Sequence, residues 1–144
     1  MVIILKTFYI FKLNKNYSNV AKRNPKNIFI LLNSIYTYKK RDILVAFNLF
    51  NEICLPINKE FLNLYYYDNL KSLEEYTKFK NIHMYNNYLT EEVSKMEVNN
   101  CYIKIKSNLN DNIFLNNLLD YMFICDFKNR NYEYRIKSKI IYKK

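Results

Sequence analysis

The sequence predicts an α+β fold, and three stretches of it carry that prediction. An uninterrupted apolar run at residues 28–32 is typical of a strand buried on both faces. Apolar residues three and four positions apart over residues 43–50 indicate an amphipathic helix on a sheet. Alternation of apolar and polar residues over residues 101–106 indicates a half-buried strand. With the segments between them, residues 28–106 follow the order strand, helix, strand, strand, helix, strand. That order predicts a ferredoxin-like βαββαβ sandwich with a long protruding hairpin.

The chain begins with an apolar stretch, residues 1–13, that is rich in β-branched and aromatic residues and interrupted by Lys6 and Lys12. This composition predicts a strand, and the stretch is too short to cross a bilayer. It also lacks the basic start and the small-residue cleavage site of a secretory signal. Residues 12–26 are polar and basic, with Pro25 as a breaker, so we expect either a linker or an arm that contacts RNA or protein. We assign residues 1–27 to an N-terminal extension.

The predicted hairpin lies in the middle of the chain. Its two extended arms are residues 52–64, which contain Pro56, and residues 76–89, and its tip is residues 65–75. One helical pattern, residues 43–50, precedes the first arm, and a second short helical pattern follows the second arm.

Two helices are predicted to cover the sheet. The apolar stripe of the first consists of Ile43, Ala46, Phe47 and Phe50. The second begins at Thr90 as N-cap, because Glu91 and Glu92 in its first turn complement the helix dipole. Its apolar stripe consists of Val93 and Met96.

Residues 107–144 are predicted to form a separate C-terminal unit, a helix followed by a strand. Asn110 or Asp111 caps the helix, which continues to Met122. The strand has an aromatic and aliphatic face, with Tyr132, Tyr134, Ile136, Ile140 and Tyr142, and a basic face, with Arg135, Lys137 and Lys139. Its tyrosines serve either as packing residues or as platforms on which bases stack.

Composition excludes several classes of site. The chain has no glycine, so phosphate-binding loops and nucleophile elbows in their usual forms are excluded, and we expect asparagine at turns that need positive φ. The cysteines Cys54, Cys101 and Cys125 are far apart and accompany one histidine, His83, so we expect buried thiols and no metal. Adjacent glutamates on a helix or strand point apart and do not share a proton, and the one histidine has no nucleophile beside it. Neither feature predicts a site for acid–base catalysis. We expect neither an enzyme nor a cofactor.

The charge points to a polyanionic partner. The chain carries 23 basic and 13 acidic residues, a formal net charge of +10. Such a balance favours nucleic acid or an anionic membrane surface. Frequent Asn, Lys, Ile and Tyr also indicate coding by an AT-rich genome, such as that of an organelle, a parasite or a large DNA virus. The alternative is therefore a solvated surface enriched in lysine by codon usage.

Four stretches resemble one known family in their order and spacing. They are Leu55-Pro56 with Lys59-Glu60-Phe61, Ser72-Leu73-Glu74-Glu75-Tyr76, Thr90-Glu91-Glu92-Val93, and Lys95-Met96-Glu97-Val98 with Tyr102-Ile103-Lys104-Ile105-Lys106. Together they resemble the universal small-subunit ribosomal protein of the S-ten family, whose ferredoxin-like body carries a protruding hairpin. The family's hairpin-tip motif and its glycines are replaced here. The extensions before residue 28 and after residue 106 have no counterpart in the compact bacterial form, as in a divergent mitochondrial protein.

The resemblance implies a structural constituent of a mitochondrial small ribosomal subunit, located in the matrix. Because a cleaved transit peptide would be richer in Arg and Ser, the protein is either encoded and made inside the organelle or not imported by that route. Its expected partners are small-subunit ribosomal RNA and other head proteins, with no small-molecule substrate and no transmembrane segment. The candidate RNA-binding residues are Lys59, Lys71, Lys78, Lys80, Arg135, Lys137 and Lys139. The alternatives are a lineage-specific interaction subunit without RNA, in an organellar membrane complex or as a viral host-binding protein, and a free nucleic-acid-binding module.

Overall fold

The chain folds as an antiparallel sheet with helices on both faces. A computed structural model describes residues 3–119 and 122–135. Its strands are β1 (Lys6–Leu13), β2 (Cys54–Leu55), β3 (Tyr76–Phe79), β4 (Ile82–Asn87), β5 (Glu92–Val98), β6 (Ile103–Ser107), β7 (Met122–Asp126) and β8 (Asn131–Arg135). Its helices are α1 (Lys15–Arg23), α2 (Pro25–Tyr38), α3 (Ile43–Ile53) and α4 (Lys59–Leu70), with one 3-10 turn at Leu115–Asn117. The α+β class is therefore confirmed.

The first strand of the chain lies near the middle of the sheet. The strand order is β3-β4-β5-β6-β1-β7-β8, and β2 pairs with the end of β1. β1 is antiparallel to both neighbours: Phe8 pairs with Ile105 of β6, and Ile10 pairs with Ile124 of β7. As a result the described parts of residues 1–27, 28–106 and 107–144 share one sheet.

Alternation along β1 divides the core into two layers. Phe8 and Ile10 pack with Tyr66 and Leu70 of α4 on one face. Tyr9 and Phe11 point the other way and pack with residues of α1, α2 and α3. A central strand buried on both faces explains why the middle of β1, from Phe8 to Phe11, is an uninterrupted apolar run.

Short polar side chains set the starts of three helices. The Oδ1 atoms of Asn14, Asp42 and Asn58 accept hydrogen bonds from backbone N–H groups of α1, α3 and α4 at 3.0, 3.2 and 3.1 Å. These are N-cap interactions. Pro25 opens α2, where its missing N–H costs nothing.

Several predicted elements differ from the structure. Residues 28–32 lie in helix α2, and most of residues 12–26 lie in α1 and α2, so neither the buried strand nor the basic arm is formed. Residues 59–64, predicted as a hairpin arm, begin helix α4, while residues 76–89 form the β3–β4 hairpin by themselves. The predicted helix at residues 90–98 is strand β5. The βαββαβ order expected over residues 28–106 is therefore not the order that the structure has.

Other predictions hold. The strand within residues 1–13, the helix over residues 43–50 and the strand over residues 101–106 correspond to β1, α3 and β6.

The C-terminal part of the chain agrees with the prediction only in its strand. The predicted helix is limited to the 3-10 turn, and Met122 begins β7, whereas Tyr132 and Tyr134 do lie in a strand. Ile136, Lys137, Lys139, Ile140 and Tyr142 lie outside the described residues.

Turns that need positive φ use charged residues, not the expected asparagines. Lys80, Glu91 and Arg130 have φ of 55°, 58° and 55°. For a residue with a Cβ, this left-handed backbone conformation costs about 1–2 kcal/mol. With no glycine in the chain, these turns retain that strain.

Candidate nucleic-acid interface

The sheet face opposite α4 is only partly covered, and its open part is basic. α1, α2 and α3 pack on this face over β1 and β7. Beyond them Lys95 of β5 pairs across the sheet with Lys106 of β6, and Glu97 pairs with Lys104. The side chains of Ser94, Met96, Ile103 and Ile105 are buried on the α4 side. By strand alternation these lysines therefore project from the open face.

The end of α2 adds further cations to this face. The Nζ of Lys39 lies 4.7 Å from the ring centroid of Tyr36 and 5.3 Å from that of Tyr9. The Nζ of Lys104 lies 5.8 Å from the same Tyr9 ring. Burial, with the neighbouring charges of Lys104 and Lys40, lowers the pKa of Lys39. We call Lys39, Lys40, Lys95, Lys104 and Lys106 the lysine face.

Few acids of the described residues lie close to this charge. Among residues 3–119 and 122–135, the lysine face forms no salt bridge, and Glu97 is the one acid in its cross-strand pairs. Lys95 and Lys106 are exposed directly beside each other. Like charges opposite each other on antiparallel strands are destabilising. An anion with closely spaced charges would relieve that repulsion.

The candidate residues predicted from sequence are dispersed. The ammonium groups of Lys71 and Lys78 lie 5.8 and 6.0 Å from the ring centroid of Tyr67, so these two come together. Lys71 also pairs with Asp68 at 3.7 Å. Lys59 begins α4, and Lys71 follows its end, so about 18 Å of helix separates them. Lys80 occupies the β3–β4 turn.

Arg135 has a structural role in the described part of the chain. Its guanidinium donates to both carboxylate oxygens of Glu133 at 3.1 Å and to the backbone oxygen of Leu115 at 3.1 Å. Lys137 and Lys139, predicted to share its face, lie outside the described residues.

Sequence reasoning missed the lysine face as a set. Its one available signal was the alternation of Lys104 and Lys106 with Ile103 and Ile105, which places both lysines on one side of a strand. Lys39 comes close to Lys104 only in the folded structure. It follows helix α2, part of which was predicted as a strand.

The lone histidine belongs to a buried hydrogen-bonded chain. His83 is fully buried; its Nδ1 lies 2.7 Å from the Tyr76 hydroxyl, and its Nε2 lies 2.8 Å from Oδ1 of Asn63. A neutral ring fits both contacts, with the Tyr76 hydroxyl donating to Nδ1 and Nε2–H donating to Asn63. Burial, with the nearby charge of Lys78, lowers the pKa of His83 to about 4. Burial also raises the pKa of Tyr76 to about 12. This arrangement suits core packing better than proton transfer near neutral pH.

The thiols are free, and two of the three are buried. Burial raises the pKa of Cys54 to about 12 and raises that of Cys125 as well. Cys101 is exposed, contrary to the expectation that all three are buried, because it lies in the turn before β6.

The described residues contain neither a metal-binding cluster nor a membrane-spanning helix. Within residues 3–119 and 122–135, no three His, Cys, Asp or Glu side chains gather in a way that could hold a metal ion. In the same ranges, no helix has both the length and the apolar character required to cross a membrane. Comparison of the sequence with known proteins found no matching family model and no matching curated protein.

Proposed function

We propose that this protein is a non-catalytic RNA-binding protein that acts as a structural part of a ribonucleoprotein. The observation that carries the proposal is the lysine face, which joins cations from the end of α2, β5 and β6. Within residues 3–119 and 122–135 these lysines form no salt bridge, and Glu97 is the one acid in their cross-strand pairs. Phosphate groups are the anions whose spacing suits such a surface, and their neutralisation by lysine releases counterions.

The neighbourhood of the lysine face favours RNA over an anionic membrane. Aromatic rings lie among the cations: Tyr9 and Tyr102 are 5.4 Å apart, and Tyr9 and Tyr36 are also 5.4 Å apart. Nucleic-acid-binding surfaces combine cations with rings in this way. The assembly proposed is the small subunit of a mitochondrial ribosome, as the resemblance to the S-ten family implies.

Binding to RNA in solution tests the surface. We would measure fluorescence anisotropy of a labelled RNA between about 50 and about 200 mM salt. Replacing Lys95, Lys104 and Lys106 together by alanine should weaken binding and reduce the slope of log affinity against log salt by about 2, since each phosphate contact contributes about 0.7 on a single strand. The comparison variant replaces Lys59, Lys71 and Lys78, three of the candidates predicted from sequence, by alanine, which changes net charge equally. A larger loss in the first variant is expected. Equal losses would show that binding follows net charge and does not depend on the lysine face, and a larger loss in the second variant would place the binding surface at the sequence-predicted lysines.

Sedimentation tests the assembly. A tagged copy of the full chain should migrate with the small ribosomal subunit in a sucrose gradient at high salt and remain there after EDTA separates the subunits. If the protein binds RNA in solution but migrates at the top of the gradient, it is a free RNA-binding module and the ribosomal assignment is wrong.

One observation favours a second function, an interaction subunit that needs no RNA. Tyr88 and Leu89, in the loop between β4 and β5, are 95% and 96% exposed. Two large apolar side chains at a hairpin tip suit contact with a neighbouring protein. Sedimentation with a protein complex that survives RNase treatment, and that Tyr88→Ser with Leu89→Ser abolishes, would support this function over the first.

A further inference from the structure

An apolar groove lies beside the lysine face. It has a volume of about 180 Å³ and runs between α3 and the sheet. Tyr9 and Tyr102 line it from the sheet, Ile43 and Phe47 line it from α3, and Lys39 stands among the lining residues. The groove and the lysine face therefore share Lys39.

The α3 side of the groove is open to a ligand. Ala46 and Phe50 of this helix are buried in the core, whereas Ile43 and Phe47 remain 76% and 58% exposed. Among the described residues, Phe47 enters no aromatic pair, unlike Tyr9, Tyr36 and Tyr102. Its ring is thus a largely exposed apolar surface in a groove that Lys39 also lines.

The charge around the groove selects the chemistry of its occupant. Lys39 stands at its rim, Lys104 lies over the Tyr9 ring that lines it, and Lys40 is close enough to lower the pKa of Lys39. An apolar protein segment would leave these cations unpaired. A nucleotide offers a flat ring for the groove and a phosphate for the lysines, so both parts of the surface are used.

We propose that this groove holds an unstacked base of single-stranded RNA, with Lys39 and Lys104 contacting the flanking phosphates. The inference rests on the proposed function and narrows it to single-stranded segments. A duplex keeps its base faces stacked inside, so it could reach the lysines but would leave the groove empty.

The test compares a single strand with a duplex of the same length. The full-length protein should bind the single strand about tenfold or more tightly. Phe47→Ala should remove most of that preference and leave duplex binding and the salt slope unchanged. The matched control is Phe61→Ala, since Phe61 is also exposed, at 53%, but belongs to α4 on the other side of the sheet.

A second variant reports on the groove directly. The chain contains no tryptophan, so Phe47→Trp introduces a single indole, whose fluorescence a stacked base should quench. Quenching by the single strand and not by the duplex is the expected result.

The outcomes separate the inference from the function on which it rests. Salt-dependent RNA binding that Phe47→Ala leaves intact, or equal binding of single strand and duplex, would overturn the groove proposal alone. Absence of RNA binding in the unmodified protein would overturn both. Quenching by a peptide in place of RNA would assign the groove to a protein partner and overturn the base-binding proposal.

Discussion

Acid should destabilise this protein through its single histidine. His83 is fully buried, and its folded-state pKa is lowered from 6.5 to about 4. Between these values the unfolded chain binds a proton that the folded chain does not, so the free energy of unfolding falls as pH falls. The contribution is fully present above pH 6.5 and is lost by about pH 4. Its size is at most about 3 kcal/mol, since one pKa unit corresponds to about 1.36 kcal/mol.

The assay is urea denaturation followed by circular dichroism at several pH values across that window. Carboxylates also titrate near its lower end, so the informative quantity is the difference between the unmodified protein and His83→Gln. Glutamine keeps a donor for Asn63 but does not titrate. Since the chain has one histidine, the stability advantage of the unmodified protein should shrink by about 2–3 kcal/mol as pH falls from 6.5 to 4.

A difference that stays constant across this window would refute the reasoning. It would mean that His83 titrates alike in the folded and unfolded chains, and hence that the hydrogen-bonded chain through Tyr76 and Asn63 does not exclude water. An advantage that grew on acidification would instead require a protonated ring in the folded state.

Three further predictions concern stability and are checked by the same denaturation assay at pH 7. Asp42→Ala should lower the free energy of unfolding by about 1 kcal/mol, because its Oδ1 caps α3, while Asp42→Asn should retain most of it. Lys80→Gly should raise it by about 1 kcal/mol, because glycine relieves the positive φ of 55°, and a decrease would show that the side chain stabilises the turn. Tyr66→Phe should cost less than about 1 kcal/mol, since the hydroxyl reaches the Phe114 carbonyl only at 3.5 Å, whereas Tyr66→Ala should cost about 3–5 kcal/mol.

Elements whose apolar residues recur with a clear period were predictable from sequence. β6 alternates buried Ile103 and Ile105 with lysines, and this period of two identifies a strand without further information. The helix α3 was likewise visible in its spacing, although Ile43 and Phe47 turn out to face the groove and not the core. The sequence pattern identified the helix but not which side of it is covered.

β5 was mistaken for a helix because polar residues face the core there. Glu92 and Ser94 are buried, and the Ser94 hydroxyl donates to Oε2 of Glu92 at 2.6 Å. The Ile113 N–H donates to the same oxygen at 3.0 Å. The Ile113 partner comes from outside the local sequence, and the alternating positions Glu92, Ser94, Met96 and Val98 do not form an apolar pattern. Local spacing instead favoured an acidic first turn after Thr90.

α4 was missed because its apolar residues are distributed around the whole helix and do not form one stripe. Tyr66 and Leu70 are buried, whereas Phe61 and Leu64 are 53% and 63% exposed. A helix without a narrow apolar stripe gives little periodic signal. Pro56, just before it, then favoured extended structure.

The lysine face could not be derived from sequence because β1, from the start of the chain, brings lysines of separate elements together. Lys104 lies over Tyr9, and that contact exists because β1 pairs with β6, which places Tyr9 opposite Lys104 although most of the chain lies between them. The same pairing, with Tyr9 opposite Cys125 of β7 on the other side, fixes the floor of the groove. Contacts so distant in sequence form late and depend on complete folding. The proposed RNA surface is therefore a property of the finished sheet: a fragment lacking β1 would keep Lys95, Lys104 and Lys106 but lose the tyrosine that positions Lys39 and Lys104 together.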